Sequence, residues 1–131
     1  MVRSIKDVYR DREFDLVTCV PMHKDTLRKR GYNQAELLAK ECARILGIEY
    51  ADLLAKTKKN KTQHSIKAAE RAKNVIGVYS PIDKNLIKGK RILIIDDIIT
   101  TGSTLGECAR ILNKCKGGEI CCCTLCTSLL I

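Results

Sequence analysis

The stretch Ile92-Leu93-Ile94-Ile95-Asp96-Asp97-Ile98-Ile99-Thr100-Thr101-Gly102-Ser103-Thr104 decides how this chain is read. Arg91 to Asp97 predicts a strand, and its four consecutive aliphatic residues show no polar alternation. That pattern belongs to a strand buried on both faces of a parallel sheet. Such a sheet binds ligands beyond the carboxyl ends of its strands, where this sequence has Asp96 and Asp97. Adjacent carboxylates repel each other and are costly to desolvate, so they need sugar hydroxyls, a cation or a basic partner. Thr100, Thr101, Ser103 and Thr104 then surround Gly102, and a helical pattern follows over Thr104 to Cys115. Glycine lets a backbone approach a ligand, and the free N–H groups of a helix start favour phosphate. One turn therefore offers acids for a diol and donors for a phosphate, and a ribose 5-phosphate carries both.

The flanking sequence supports an α/β architecture. Phe14 to Pro21 is β-prone and ends at proline. His23 to Asn33 reads as a polar, basic loop. Ala35, Leu38, Ala39, Cys42, Ile45 and Leu46 follow helical spacing over Gln34 to Leu46, and Gly47 stops that helix. Ile48 to Leu54 is ambiguous, with a short strand one option. Lys56 to Gln63 lacks apolar residues and predicts an exposed, mobile loop. Ser65 to Lys73 reads as a helix, Val75 to Ser80 as β-prone, Pro81 to Lys90 as a linking turn and Glu119 to Thr127 as a last strand. Residues 1–13 suggest a short helix. Strands alternating with helices predict one Rossmann-like domain over residues 1–131, a parallel sheet flanked by helices.

The composition, 45% hydrophobic and 30% charged, is that of a globular chain. No apolar run approaches the roughly 20 residues of a membrane helix, and the N-terminus lacks a signal core, so a cytoplasmic location without membrane insertion is expected. The net charge of +9 is localised. Residues 24–30 and 56–73 carry all of the excess, while the remainder balances. Two basic segments suggest a polyanionic partner, either a phosphorylated small molecule or nucleic acid; solvated lysine-rich loops are the alternative. Of eight cysteines, Cys121, Cys122, Cys123 and Cys126 fall in the last eleven residues. They sit in a β-prone run and are expected to be reduced, buried thiols. Cys123 and Cys126 form one C-x-x-C spacing, which alone is a weak zinc signal.

The segment DDIITTGST resembles the PRPP-binding motif of type I phosphoribosyltransferases, where PRPP is 5-phosphoribosyl-1-pyrophosphate. Val20-Pro21-Met22-His23, the run Leu27 to Ala39, and Gln63, Arg71 and Asn74 are similar to the ComF family of competence-associated phosphoribosyltransferase-like proteins. The resemblance spans residues 14 to about 127. It implies the type I phosphoribosyltransferase fold with a small mobile hood. It further implies PRPP bound by Asp96, Asp97, Thr100, Thr101, Gly102, Ser103 and Thr104, with Mg²⁺ held indirectly through the two acids. Pro21, His23, Lys24, Arg28 and Arg30 would face pyrophosphate, and Lys58, Lys59, Lys61 and Arg71 would belong to the hood. Members usually carry an N-terminal four-cysteine zinc module. This chain starts after its place, so no structural zinc is expected, and a shortened form is one reading.

Two functional readings follow. A phosphoribosyltransferase would transfer phosphoribosyl from PRPP to a base-like acceptor, with Asp96 and Asp97 at the reacting sugar and pyrophosphate released. The acceptor base is not legible. The alternative is a non-catalytic competence or DNA-uptake accessory that binds single-stranded DNA or a competence-machinery protein, or senses PRPP. With four Tyr, one Phe and no Trp, stacking residues for a single-strand groove are scarce. The oligomeric state is open, a homodimer among the options.

Overall fold

The computed structural model describes residues 1–58, 75–99 and 101–127. The chain opens with helix α1, Val2–Val8, and strand β1, Leu16–Cys19. Helices α2, Lys24–Arg30, and α3, Gln34–Leu46, come next. Three short strands follow: β2, Glu49–Tyr50; β3, Leu54–Lys56; and β4, Tyr79–Pro81. A one-turn helix α4, Lys84–Ile87, leads to strand β5, Ile92–Ile99. Helix α5, Ser103–Lys114, and strand β6, Ile120–Thr127, complete the described chain. The main sheet runs β2-β1-β5-β6 with every neighbour parallel, and β3 pairs with β4 in a separate antiparallel ribbon.

The aliphatic run at 92–95 behaves as its composition requires. Ile92, Leu93, Ile94 and Ile95 are all fully buried, and alternate side chains enter two different cores. Ile92 and Ile94 pack with Leu105, Cys108, Ile111 and Leu112 of α5. Leu93 and Ile95 pack with Ala35, Ala39, Cys42 and Ala43 of α3. Small residues on α3 let that helix lie close to the sheet. Each buried Ile or Leu contributes roughly 1.5–3 kcal/mol, so this strand anchors both layers.

Several sequence expectations are corrected. His23 to Asn33 is not a loop, because α2 occupies most of it. This helix buries no residue, so no apolar stripe announces it. It is held by its ends: the His23 side chain accepts from the Asp25 backbone N–H, and Gly31 closes the helix at φ 82°, where a side chain would be strained. Lys56 does not begin an exposed loop; it ends β3 and is half-buried. The turn expected over Pro81 to Lys90 contains α4, capped by the Asp83 side chain accepting from Asn85 N–H. The central strand runs to Ile99, so Asp96 and Asp97 lie within it. The ambiguous stretch after Ile48 divides between β2 and the start of β3. The expected helix from Ser65 to Lys73 lies outside the described residues.

The cysteines follow the strand and helix patterns, but the expected burial of the last four holds only in part: Cys121 is buried, Cys122 and Cys123 are half-buried, and Cys126 is exposed at the end of β6. Cys121 and Cys123 join the α3 core, whereas Cys108 and Cys122 join the α5 core. Cys123 pairs with Ile95 and Cys126 with Ile98, three positions apart along β6. Residues three apart in a strand point to opposite faces. These two thiols therefore do not converge on one ion, and Cys126 Sγ instead lies 3.6 Å from the Asp97 carbonyl oxygen.

Candidate functional site

β1 ends its ladder with β5 at Cys19 opposite Ile95, and the Val20 N–H donates to the Ile95 carbonyl at 3.0 Å. Beyond that point the chain leaves the sheet through Pro21, Met22 and His23 into α2. β5 and β6 continue together, so Asp96 has a strand neighbour, Thr124, on one side only. The space opened on the other side is a cleft of about 320 Å³. Its walls include Pro21, His23 and Arg30 on one side and Asp96, Asp97 and Thr104 on another. This volume lies in the range of small-molecule sites.

The two acids are organised by the backbone between them. Asp97 N–H donates to Asp96 Oδ1 at 2.9 Å, and Ile98 N–H donates to Asp97 Oδ1 at 3.0 Å. Burial pushes the Asp96 carboxyl up to about 7, and the neighbouring Asp97 carboxyl adds to the rise. No ion pair reaches either acid among the described residues. A half-buried carboxylate beside a second one, open to a cleft, has its strongest partners still to come: diol hydroxyls or an oxygen-seeking cation. The donor set therefore fits Mg²⁺ or a sugar diol equally well.

The hydroxyl-rich loop leads directly into α5. Gly102 stands at φ 79° as the residue before the helix, a conformation that disfavours any side chain. Thr101 Oγ1 and Ser103 Oγ are 2.8 Å apart, and the Ser103 N–H lies 3.3 Å from Thr101 Oγ1. Thr104 lines the cleft together with Tyr79. Thr101, Gly102 and Ser103 precede it in the chain and do not line the cleft; Thr101 is exposed and the other two are partly exposed. Thr100, Lys59, Lys61 and Arg71 lie outside the described residues, as do Gln63 and Asn74.

Of the expected pyrophosphate residues, Pro21, His23 and Arg30 line the cleft, while Lys24 and Arg28 are exposed on α2. His23 is oriented by its capping role. Its Nδ1 accepts from the Asp25 N–H at 3.1 Å, which leaves Nε2 as the protonated nitrogen of the neutral ring. Lys58 is exposed at the last described position before residue 59.

Sequence reasoning missed Lys56 and Tyr79 as lining residues of the same cleft. Lys56 Nζ sits 5.8 Å from the Tyr79 ring centroid. Burial lowers its pKa from the ordinary lysine value. Burial likewise raises that of the Tyr79 hydroxyl. The signal available was Leu53-Leu54-Ala55 immediately before Lys56, an apolar run that should have carried the strand two residues past Leu54. Asn33 is the N-cap of α3. Its Oδ1 accepts from Ala35 N–H at 3.1 Å while its buried Nδ2 donates to the Val20 carbonyl at 3.1 Å, tying α3 to the strand end.

A second hollow of about 480 Å³ lies at the opposite end of the strands, near Phe14, Ile48 and Arg91. Of its cations, Arg12 pairs with Glu119 and Arg91 with Asp15 at 3.0 Å, while Lys6 and Arg10 also line it. The adjacent acids and the start of α5 belong to the cleft at the carboxyl end. Among the described residues no helix is long and apolar enough to cross a membrane.

Comparison with known proteins agrees with this geometry. The family model described as "Phosphoribosyl transferase domain" matches residues 33–129. Competence protein F of Haemophilus influenzae is 33% identical over 121 residues, covering 91% of this chain and 53% of that protein. DNA utilization protein YhgH of Escherichia coli is 30% identical over 101 residues, covering 76% of this chain and 44% of that protein. The chain thus spans about half the length of the curated relatives it matches. Among solved structures, adenine phosphoribosyltransferase from Saccharomyces cerevisiae aligns with a TM-score of 0.61 at 16% identity, covering 96% of this chain and 63% of that one. Phosphoribosylpyrophosphate synthetase from Mycobacterium smegmatis aligns with a TM-score of 0.59 at 18% identity, covering 99% of this chain and 33% of that one. These two likenesses concern the fold. The parallel sheet, the cleft at its carboxyl end and the match over residues 33–129 lead to one assignment: the chain belongs to the phosphoribosyl transferase domain family.

Proposed function

We propose that the cleft binds PRPP and that the protein transfers its phosphoribosyl group to a nitrogen acceptor, releasing pyrophosphate. The observation that carries this reading is the half-buried Asp96–Asp97 pair beside a glycine-led helix start. Asp96 and Asp97 accept hydrogen bonds from the ribose 2- and 3-hydroxyls, bonds strengthened by the carboxylate charge. The backbone N–H groups at Ser103 and Thr104, with the loop hydroxyls, hold the 5-phosphate. That remote binding energy positions C1 for attack. The acceptor nitrogen forms a bond to C1 as the C1–O bond to pyrophosphate breaks. The bonding pair leaves on pyrophosphate, and the acceptor's proton passes to solvent.

Arg30, Lys56 and His23 line the same cleft, and in this reading they meet the departing anion with positive charge and a hydrogen-bond donor. Mg²⁺, when bound, draws charge from the pyrophosphate oxygens and the diol. Asp96 and Asp97 would hold it, directly or through the hydroxyls.

A second reading, single-stranded DNA binding, is favoured by the exposed Arg28, Lys29 and Arg30 at the end of α2 and by the name of the Escherichia coli relative, a DNA utilization protein. Steep loss of binding between low and physiological salt would mark it. A screen of bases and amines for PRPP-dependent pyrophosphate release tests the transferase reading. Release with at least one acceptor supports it; PRPP binding without release from any acceptor points to a sensor or accessory role.

A further inference from the structure

We propose that the hollow at the amino ends of the strands binds an aromatic carboxylate, a planar ring system carrying one negative charge. Its volume is about 480 Å³, within the roughly 300–1,000 Å³ of small-molecule sites. Phe14 precedes β1, Ile48 precedes β2 and Arg91 precedes β5, so the hollow lies away from the cleft. Asp96 stands five residues along the strand from Arg91, a distance of roughly 16 Å.

The first observation is the apolar wall. Ile5 is buried there, and Tyr9, Phe14, Leu46 and Ile48 are half-buried around it. All five pack in the core under α3, which this hollow leaves open to solvent at one end. The two rings are fixed. The Tyr9 hydroxyl donates to the Cys122 carbonyl at 2.8 Å, and the Tyr9 and Phe14 rings meet edge to face, with centroids 5.6 Å apart at 86°. They form a preset corner, which a planar ring can enter without ordering either side chain.

The second observation is the charge around that wall. Residues 1–14 hold Arg3, Lys6, Arg10 and Arg12 against Asp7, Asp11 and Glu13. Of these, Lys6, Arg10 and Arg12 line the hollow beside Glu13, and Arg91 adds a fourth cation. Arg12 is taken by Glu119, and Arg91 by Asp15 and Glu13. Lys6 and Arg10 make no ion pair or hydrogen bond among the described residues. With Glu13, Glu119 and Asp15 set against the four cations, one positive charge is left over, and one carboxylate balances it. Lys6 stands in the last turn of α1, where the helix dipole favours a cation; Arg10 lies beyond the helix and its C-cap. An apolar recess edged by unpaired cations matches a ligand with an apolar body and an anionic end.

The site does not depend on the transferase reading. Its test titrates the ¹⁵N-labelled full chain, without PRPP, with 1-naphthoate at constant ionic strength. Acetate has the charge without the rings, and 1-naphthylmethylammonium has the rings with the opposite charge; both serve as controls. Saturable shifts centred on residues 5, 9, 14 and 48 are expected with naphthoate, and at least tenfold weaker binding of either control. Replacing both exposed cations, Lys6→Gln with Arg10→Gln, should leave Tm unchanged and weaken naphthoate at least tenfold. Added PRPP should not displace naphthoate. Equal binding of the cationic control, no saturation, shifts centred on residues 20–23 and 96–98, or unchanged affinity in the double variant would overturn the proposal. Failure here leaves the PRPP reading standing, and failure to bind PRPP leaves this result standing.

Discussion

Cys19 and Ile95 form the last rung that β1 shares with β5, and β5 runs on for the four residues Asp96 to Ile99. The sheet is therefore complete beneath the acids and open beside them. That one offset creates the cleft and leaves Asp96 half-buried without a basic partner among the described residues.

The offset makes the stability of the empty protein depend on pH. Asp96 holds its proton up to about 7 when folded, against 3.8 ordinarily. Between those values the folded chain binds more protons than the unfolded chain, so stability falls as pH rises through that window. Asp15 acts in the opposite sense and at lower pH, because hydrogen bonds from Arg91 hold it down to about 2. Thermal melts of ligand-free protein from pH 4 to 7 should show Tm declining, with a shallower decline in Asp96→Asn. Parallel profiles for the two proteins would mean that Asp96 is not desolvated.

Asn33 performs two buried tasks, capping α3 and holding the Val20 carbonyl. Asn33→Ala removes the cap and strands that carbonyl, and should cost about 2 kcal/mol in urea unfolding. Asn33→Ser keeps a capping oxygen without adding charge and loses the donor to Val20. It should fall between the two. Equal stability of all three proteins would contradict the described tie between α3 and β1.

Much of this was legible before any coordinates. The helix expected over Gln34 to Leu46 is found with those bounds, because Asn33, an apolar stripe and Gly47 all mark it. The buried central strand was legible because four aliphatics in a row satisfy two cores at once. α2 was not, since its stability lies in its caps and not in burial. Lys56 was hidden by the lysines that follow it, and its approach to Tyr79 depends on the antiparallel pairing of β3 with β4 across residues distant in sequence. Asp96 and Asp97 were legible as a pair. Their place within a strand that outruns its neighbour is a property of sheet register.

Lys56 is half-buried with its charge disfavoured by burial. Lys56→Met keeps the stem and removes the charge, so the empty protein should be as stable or slightly more so. If Lys56 faces the leaving group, the variant should bind PRPP and pyrophosphate about tenfold more weakly, near 1.4 kcal/mol, while ribose 5-phosphate binding is spared. Equal weakening of both ligands would move Lys56 away from the pyrophosphate side.

The central claim is that Asp96 and Asp97 receive the ribose of PRPP, and titration calorimetry with PRPP and Mg²⁺ tests it most directly. The account expects saturable binding at one site per chain. Asp96→Asn and Asp97→Asn should each weaken it by about 1.5–3 kcal/mol, roughly ten- to a hundred-fold, with Tm unchanged or raised. No saturation with millimolar PRPP and Mg²⁺, or variants that bind PRPP normally yet melt far lower, would contradict it.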